Sequence, residues 1–194
     1  MSFLSDGILY VKYYFKIFKL KQLLKRKGLD FTGRIEDANK ELRGYEGCYS
    51  INGILKKLDI NSKDKVLDIG CGKGLFLWYA SKFDFEAIDG LEYSQELYNI
   101  AKTNVEIIKN PKINVYHEDA RTFASYDQYN YFFLNNPFSS SIMQEVLEKI
   151  LDSKKVNDRP IIIIYQFPFS KNLFLEKGFA IKYEKFPNII LTLN

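Results

Sequence analysis

The sequence predicts an α/β protein: a doubly wound, mostly parallel seven-stranded sheet with helices on both faces, an antiparallel C-terminal hairpin and an N-terminal helical extension. Two observations lead to this prediction. From residue 66 to residue 165, short apolar runs alternate with segments of helical periodicity, which is typical of a parallel sheet covered by helices. Residues 179–185 and 188–193 then alternate polar and apolar side chains around Phe186-Pro187, which indicates an antiparallel hairpin.

The individual elements follow from local patterns. Runs of Val, Ile, Leu, Phe and Tyr predict the strands, and apolar residues that recur every three or four positions predict the helices. A short helix over residues 50–58 ends before a polar turn at residues 61–64, and the first strand starts directly after that turn. The predicted strands are residues 66–69, 86–91, 113–117, 129–134, 161–165, 179–185 and 188–193, and the helices between them are residues 75–82, 95–108 and 141–151.

Composition bounds the class of protein. The chain has 194 residues, of which 46% are hydrophobic and 27% charged, a composition that supports one globular domain with an extension. It contains two cysteines, Cys48 and Cys71, and one histidine, His117. Because a structural zinc site uses about four Cys or His ligands, we expect no metal site. Two separated cysteines fit a reducing compartment, so we expect a cytoplasmic protein. No apolar run approaches the ~18 residues of a membrane span.

The net charge of +4 is unevenly distributed. Residues 1–27 contain seven basic side chains and one acidic side chain, which gives +6, whereas residues 28–194 contain 21 basic and 23 acidic side chains, which gives −2. A protein that binds nucleic-acid phosphates along its main body usually carries the basic excess there. The distribution therefore disfavours a nucleic-acid partner, and it favours a small-molecule or protein substrate.

The basic segment itself is predicted to be an amphipathic helix over residues 8–27, ended by Gly28. Either its aromatic side packs on the domain, or the helix docks on an anionic membrane or a partner. We accordingly divide the chain into a basic helix with a connecting segment, residues 1–50, and a catalytic domain, residues 51–194. The basic side contains Lys12, Lys16, Lys19, Arg26 and Lys27, and the apolar side contains Tyr10, Val11, Tyr14, Ile17, Phe18 and Leu24, with Lys21 and Lys25 also falling there.

A glycine-rich loop follows the first strand. Residues 70–74 read Gly-Cys-Gly-Lys-Gly, and a helix comes directly after them. Glycines let a ligand approach the backbone, and the start of a helix offers N–H groups to it. In an open parallel sheet this loop lies beyond the carboxyl ends of the strands, where ligands bind. The spacing is not G-x-G-x-x-G, because Leu75 occupies the sixth position, and no G-K-[S/T] ending is present. A nicotinamide cofactor and phosphoryl transfer are therefore disfavoured.

The pattern D-x-G-x-G-x-G, with Asp68 two residues before Gly70, resembles motif I of the class I S-adenosylmethionine-dependent methyltransferases. The resemblance extends from about Leu58 to the C-terminus, with further motifs in the same order. It implies S-adenosylmethionine as the cofactor, an acid near its methionine end, an acid on both ribose hydroxyls after the second strand, and an acid on the adenine amino group after the third. The implied cofactor-binding residues are Asp68, Gly70, Cys71, Gly72, Gly74, Glu92, Asp119 and Asn135, with Asp89 and Glu118 as the nearest alternatives to Glu92 and Asp119.

The fourth strand ends in Asn135-Asn136-Pro137-Phe138, which resembles the (D/N)-P-P-(Y/F) motif of methyltransferases that act on amino or amide nitrogens. Asn136 stands where that motif has its first proline. The resemblance implies that the Asn135 carbonyl and a backbone carbonyl orient the target N–H and that the Phe138 ring packs on the substrate. Asn135, Pro137 and Phe138 are therefore the candidate catalytic residues, whereas His117 is expected to be a polar or surface residue at its strand end.

The predicted function is transfer of a methyl group from S-adenosylmethionine to an acceptor that we expect to be a nitrogen. This in-line displacement needs no metal and no covalent intermediate, and holding the two reactants in line can contribute ~7–11 kcal/mol. Two alternatives stay open: a protein that binds S-adenosylmethionine without activity, and a nicotinamide-dinucleotide-binding enzyme.

Overall fold

The computed structural model describes residue 15 and residues 17–33, 47–48 and 51–194. These residues form one seven-stranded sheet in the order β3-β2-β1-β4-β5-β7-β6. Strands β1 to β5 are parallel to one another, and β7 runs antiparallel to both of its neighbours. The predicted fold class is confirmed. The strands are β1 Lys65–Ile69, β2 Ala87–Glu92, β3 Ile113–His117, β4 Tyr131–Asn135, β5 Ile161–Gln166, β6 Ala180–Lys185 and β7 Asn188–Leu193.

Helices cover both faces of the sheet, because successive strand residues point to opposite sides. Val66 and Phe133 pack with Phe76 of the first crossover helix in one hydrophobic cluster. Leu67 and Phe132 pack with the helix that follows β4 in the other cluster. The helices are α1 over residues 17–26, α2 Asn52–Leu55, α3 Leu75–Ala80, α4 Gln95–Ile108, α5 Ser140–Val156 and α6 Lys171–Glu176, and a 3₁₀ turn spans Tyr126–Gln128.

Most predicted elements are present, and the differences have local causes. The structure gives α4, β3 and β7 the bounds that the periodicity predicts. Strand β4 starts at Tyr131 rather than at residue 129, because Tyr129 closes the 3₁₀ turn through its N–H bond to the Tyr126 carbonyl. The sequence does not predict α6, which has six residues and buries only Phe174, so no helical period develops.

The C-terminal hairpin lies across the edge of the sheet with its second strand inside. Strand β7 pairs with both β5 and β6, so β6 is the edge strand. The apolar residues 189–191 of β7 are buried, whereas β6 is largely exposed and carries Lys182 and Lys185. Charged side chains on an edge strand oppose pairing with another chain, which suits β6 to that place.

The N-terminal helix packs on the domain through a narrow strip. As predicted, it ends at Gly28, which has a φ of 77° and donates to the Lys25 carbonyl, while the Leu29 N–H donates to the Leu24 carbonyl. Of the residues on the predicted apolar side, Leu24 is buried, whereas the Phe18 side chain is 57% exposed. The predictions for Tyr10, Val11, Lys12, Tyr14 and Lys16 lie outside the described residues. No helix within the described part of the chain is both long and apolar enough to cross a membrane.

Candidate functional site

Three of the sequence-predicted residues meet at one edge of the sheet. Strand β1 lies between β2 and β4, with Asp68 in register with Gly90 on one side and with Phe133 on the other. Because the three strands are parallel, their carboxyl ends lie side by side. This edge therefore brings together Asp68 near the end of β1, Glu92 at the end of β2 and Asn135 at the end of β4.

The glycine loop is bonded to the end of β2. All three loop glycines have positive φ angles, between 55° and 81°. The N–H groups of Gly70 and Cys71 donate to the Leu91 carbonyl at 2.9 and 2.8 Å, and the Gly72 N–H donates to Oε2 of Glu92 at 2.8 Å. Three backbone amides of this loop are thus bonded to β2 and are not available to a phosphate group, which disfavours a dinucleotide at this loop.

Close packing explains the second loop residue, Cys71. A Cβ atom at Gly90 on the neighbouring strand would lie 2.7 Å from the Cys71 sulfur, so the thiol fills the space that Gly90 leaves. Burial raises the pKa of the Cys71 thiol well above its ordinary value, and the Asp68 and Glu92 carboxylates raise it further. A thiol held in its neutral form is a poor nucleophile, so Cys71 acts as a packing residue.

Asp68 is a buried carboxylate without a hydrogen-bond donor in the described part of the chain. Its side chain is 2% exposed, and among the described residues none donates a hydrogen bond to it. Burial raises the pKa of Asp68 well above its ordinary value, and the nearby Glu92 carboxylate raises it further. A buried carboxylate normally has a positive or hydrogen-bonding partner, so the position suits a cationic group of a ligand.

Glu92 is positioned by backbone bonds on both of its oxygens. Oε2 accepts the Gly72 N–H and Oε1 accepts the Ser94 N–H, each at 2.8 Å, and the residue is 7% exposed. Each carboxylate oxygen has capacity for a second hydrogen bond, so Glu92 retains one acceptor position for each of two hydroxyl groups. Burial raises the pKa of Glu92, although the bonds from Ser94 and Gly72 oppose this shift.

Asp89, the alternative to Glu92, has a structural role. It is 5% exposed, accepts the Tyr129 hydroxyl, and accepts the Asn114 amide at 3.1 Å. These bonds join β2 and β3 to the segment before β4. The geometry favours Glu92 over Asp89 as the ligand-binding acid, and the ribose contact itself stays a prediction.

After β3, the Asp119 carboxylate already accepts hydrogen bonds from a neighbouring side chain. Arg121 donates to it through Nε at 3.1 Å and through its terminal nitrogen at 2.7 Å. These bonds lower the pKa of Asp119. The predicted contact with an adenine amino group, which is untested, would share this carboxylate with Arg121. His117 is exposed, bonds the Tyr93 carbonyl at 2.9 Å and stacks on Tyr98, as expected for a polar residue at a strand end.

The Asn-Asn-Pro-Phe turn touches the glycine loop. A Cβ atom at Gly70 would lie 2.7 Å from Cβ of Pro137, so the two motifs are in direct contact. Asn135 is the last residue of β4, two positions before Pro137. Phe138 is 6% exposed and packs in the same cluster as Ile142 and Met143. Its ring therefore supports the turn from the core side, and the predicted contact of Phe138 with a substrate stays a prediction.

Sequence reasoning missed the residues that join the N-terminal segment to the loop. The Asn104 side chain is 2% exposed; its amide donates to the carbonyls of Asp30 and Lys73 at 2.8 and 2.9 Å, and its Oδ1 accepts the Asp30 N–H at 2.9 Å. Cys48 is buried close enough to Asp68 for the carboxylate to raise the pKa of its thiol, after burial itself. One local signal exists: Asn104 is a polar residue on the apolar side of a predicted helix.

Comparison with known families identifies a matching family model. The model described as ribosomal RNA adenine dimethylase matches residues 49–183, which is more than half of the chain. The match includes the glycine loop, Glu92, Asp119 and the Asn-Asn-Pro-Phe turn. Residues 1–48, with the basic helix, lie outside it.

Two curated relatives act on different atoms according to their names. The tRNA1(Val) (adenine(37)-N6)-methyltransferase of Dyadobacter fermentans is 32% identical over 95 residues, which are 47% of this chain and 39% of that protein. The probable cobalt-precorrin-6B C(15)-methyltransferase (decarboxylating) of Methanococcus maripaludis strain C7 is 31% identical over 119 residues, 57% of this chain and 64% of that protein. The chain thus spans less than two thirds of the length of either relative.

Solved structures share the fold. A SAM dependent methyltransferase from Aquifex aeolicus superposes with a TM-score of 0.59 at 15% identity, over 75% of this chain and 90% of that one. A rRNA methylase from Streptococcus thermophilus gives a TM-score of 0.54 at 13% identity, over 74% of this chain and 92% of that one. At these identities the likeness concerns the fold alone.

Proposed function

The chain belongs to the ribosomal RNA adenine dimethylase family of S-adenosylmethionine-dependent methyltransferases, and we propose that it transfers the methyl group of this cofactor to a nitrogen atom. One observation carries the proposal. Asp68 and Glu92 are two buried carboxylates at adjacent strand ends, on either side of a loop whose amides are bonded to β2. A cofactor with an ammonium group and a ribose, but no phosphate, suits this set of acceptors.

The residues of the site have separable roles in this proposal. Asp68 would hold the ammonium group of the methionine part, and Glu92 would accept the two ribose hydroxyls. When bound, S-adenosylmethionine supplies an electrophilic methyl group on a positively charged sulfur. The chain then has to bring a nucleophile into line with that methyl group and keep the glycine loop fixed, and positioning of this kind is a large part of the rate enhancement in such reactions.

A nitrogen acceptor is favoured by the turn after β4. Asn135 offers an amide carbonyl at the carboxyl end of β4, beside the glycine loop. A carbonyl that accepts an N–H bond turns the nitrogen lone pair away from itself, and it suits an amino group better than a hydroxyl, which would need a base. The names of the curated relatives include both a nitrogen and a carbon target, so the turn is what supports nitrogen.

The acceptor molecule that we propose is a small molecule or a protein side chain. Residues 28–194, which contain the whole site, carry a net charge of −2, and nucleic-acid phosphates are normally met by a basic surface. We also propose a cytoplasmic location, because the free thiols of Cys48 and Cys71 are typical of a reducing compartment.

The test is binding followed by turnover. Calorimetry should show that the protein binds S-adenosylhomocysteine and not NAD; the reverse preference would support the nicotinamide alternative. Incubation with methyl-labelled S-adenosylmethionine and separate RNA, protein and metabolite fractions should label metabolite or protein, and mass spectrometry should place the methyl on nitrogen. A labelled RNA would overturn the acceptor class, a methyl on oxygen or carbon would overturn the target atom, and cofactor binding without labelling would support the inactive alternative.

We further propose that the N-terminal helix docks on an anionic lipid membrane. Phe15, Phe18 and Leu23 are 57%, 57% and 49% exposed, and Lys19 and Arg26 lie on the same exposed side of the helix. Exposed aromatic and aliphatic side chains among basic ones suit the interface of a bilayer, where the apolar groups insert and the charges meet lipid phosphates. The excess charge of +6 in residues 1–27 supports a negatively charged surface.

A further inference from the structure

We infer that the side-chain amide of Asn136 is a further contact for the methyl acceptor, in which its Oδ1 accepts a hydrogen bond from an N–H group of the acceptor. The inference rests on the proposed function and concerns the residue at which the turn departs from the (D/N)-P-P-(Y/F) pattern. Its evidence is the backbone conformation of Asn136 and the state of its side-chain oxygen.

The backbone at Asn136 has a conformation that proline cannot adopt. Its φ is 47°, in the left-handed region, whereas the proline ring fixes φ near −65°. Asparagine is among the few non-glycine residues that enter this region readily. The presence of Asn136 in place of proline therefore changes the turn in two ways. The backbone follows a different path, and the site gains an amide group.

The turn after β5 has the same left-handed backbone conformation, with an apolar residue at the position that corresponds to Asn136. Asn135 pairs in register with Gln166 at the end of β5, and each is followed by a left-handed residue, Asn136 (φ 47°) and Phe167 (φ 52°), and then by a proline. At the second turn the Phe167 N–H donates to the Pro187 carbonyl at 2.7 Å, and Phe167 has no polar side-chain atom to satisfy. The same backbone geometry can therefore be built with an apolar side chain.

The Asn136 side chain, by contrast, contains a buried oxygen without a bond. Oδ1 is shielded from solvent and has no hydrogen-bond partner among the described residues. A buried acceptor that is left unsatisfied destabilises the folded state, and such groups in native proteins call for an explanation. Asn136 lies between Asn135 and Pro137, the residue that touches the glycine loop, so its side chain belongs to the turn at which we propose that the acceptor binds.

The chemistry of an amide carbonyl defines the class of acceptor. The Asn136 carbonyl is a neutral acceptor, which matches an N–H group of the methyl acceptor. An acceptor with no N–H group at this position would leave the Asn136 oxygen unsatisfied and would be rejected.

The test does not need the natural acceptor. Sinefungin is a cofactor analogue with a carbon-bound amino group in place of the sulfonium methyl, so that amino group samples the position next to the acceptor. Calorimetry on the full chain gives the ratio of the dissociation constants of sinefungin and S-adenosylhomocysteine. Asn136→Gly keeps the left-handed backbone and removes the amide; it should raise this ratio about tenfold or more while the S-adenosylhomocysteine affinity stays within about twofold.

Two further readouts distinguish this role from a structural one. Asn136→Gly should raise the melting temperature, because it removes an unsatisfied oxygen and places glycine at a positive φ, whereas loss of a structural residue would lower it. Asn136→Asp, which keeps an acceptor oxygen and adds negative charge, should lower the ratio. The matched control is Lys109→Gly, a non-glycine left-handed residue (φ 54°) at the end of α4, which should leave the ratio unchanged.

Each outcome has a defined consequence. An unchanged ratio in Asn136→Gly, with S-adenosylhomocysteine still bound, overturns the role of Asn136 and leaves the proposed function standing. If Asn136→Gly does not fold, an unchanged ratio in Asn136→Asp overturns the role in the same way. Failure of the unmodified protein to bind either compound overturns the proposed function and the role of Asn136 together.

Discussion

Lys73 and Asp30, 43 residues apart in the chain, form an ion pair at 2.9 Å in which the lysine side chain is buried and the carboxylate is half exposed. The same ammonium group donates to the Thr32 carbonyl at 2.7 Å. Lys73 belongs to the glycine loop, so these bonds attach residues 29–33 directly to the candidate cofactor site. The segment that precedes the family-matched region is thereby part of the structure that fixes the loop.

Asn104 is the residue on which this attachment depends most, because it bonds both Asp30 and the Lys73 carbonyl. Asn104→Ala would leave three backbone groups without their partner. We expect the free energy of unfolding to fall by about 2–3 kcal/mol, with faster amide exchange in residues 29–33. Urea denaturation and hydrogen exchange measure both effects. Asn99→Ala, an exposed site on the same helix, should change neither.

Gly70 should not tolerate a side chain. Its φ is 77°, and an added Cβ would lie 2.7 Å from Cβ of Pro137 in a backbone-fixed turn. We expect Gly70→Ala to lower the free energy of unfolding by at least about 1–3 kcal/mol and to weaken S-adenosylhomocysteine binding. In Gly53→Ala a Cβ would meet nothing within 4 Å, and the position is helical, so that variant should be as stable as the original protein or more so. Equal stabilities in the two variants would contradict the proposed contact.

Glu92 should control cofactor affinity. Glu92→Ala removes the acceptor for two ribose hydroxyls, and at about 1.5–3 kcal/mol for each bond to a charged group the affinity for S-adenosylhomocysteine should fall at least about tenfold. Asp89→Asn is the matched control, because Asp89 is a buried acid of the same strand whose bonds go to Tyr129 and Asn114. Its affinity should be unchanged. The ribose assignment fails if calorimetry finds Glu92→Ala folded with unaltered affinity.

Asp68 should make the stability of the free protein depend on pH. Its pKa in the folded protein is raised above the ordinary value of 3.8, so the folded state binds more protons than the unfolded state. The associated stability is fully present below about pH 3.8 and is lost as the pH rises through the folded value. Asp68→Asn should therefore melt at a higher temperature than the original protein near neutral pH and bind the cofactor more weakly. Thermal melts and calorimetry across that pH range would detect both, and a lower melting temperature would argue against a raised pKa.

The basic helix should contribute to vesicle binding. Lys19 and Arg26 are exposed, and each basic residue near an anionic membrane contributes about 1 kcal/mol. Replacing both with Gln should weaken binding to phosphatidylserine-containing vesicles about thirtyfold, measured by co-sedimentation, without altering cofactor affinity. The control replaces exposed Lys63 and Lys102 with Gln and should bind normally. Binding that is equal in the two double variants, or that is seen only with a protein partner, would contradict docking on lipid.

Several features of this protein follow from the sequence by itself, because they depend on neighbours along the chain. The apolar runs and the helical periods locate all seven strands to within two residues and the whole of α4. The spacing from Asp68 to Gly74, through its resemblance to motif I, predicts a cofactor loop, and the order of motifs predicts that Glu92 and Asn135 lie beside it. Such patterns are local: a strand's alternation and a loop's glycines are imposed by backbone geometry within a few residues.

Other features were decided only when distant segments packed together. The insertion of β7 between β5 and β6 depends on which hairpin strand buries more apolar surface against β5. Phe138 is buried in the core, and Asn104 bonds to Asp30 and Lys73, which precede it in the chain by 74 and 31 positions. Contacts between groups this far apart leave no periodic pattern in the sequence. The left-handed conformation of Asn136 belongs to the same class. It accompanies the contact of the next residue, Pro137, with Gly70, and a contact between two loops is a property of the assembled sheet rather than of either loop's sequence.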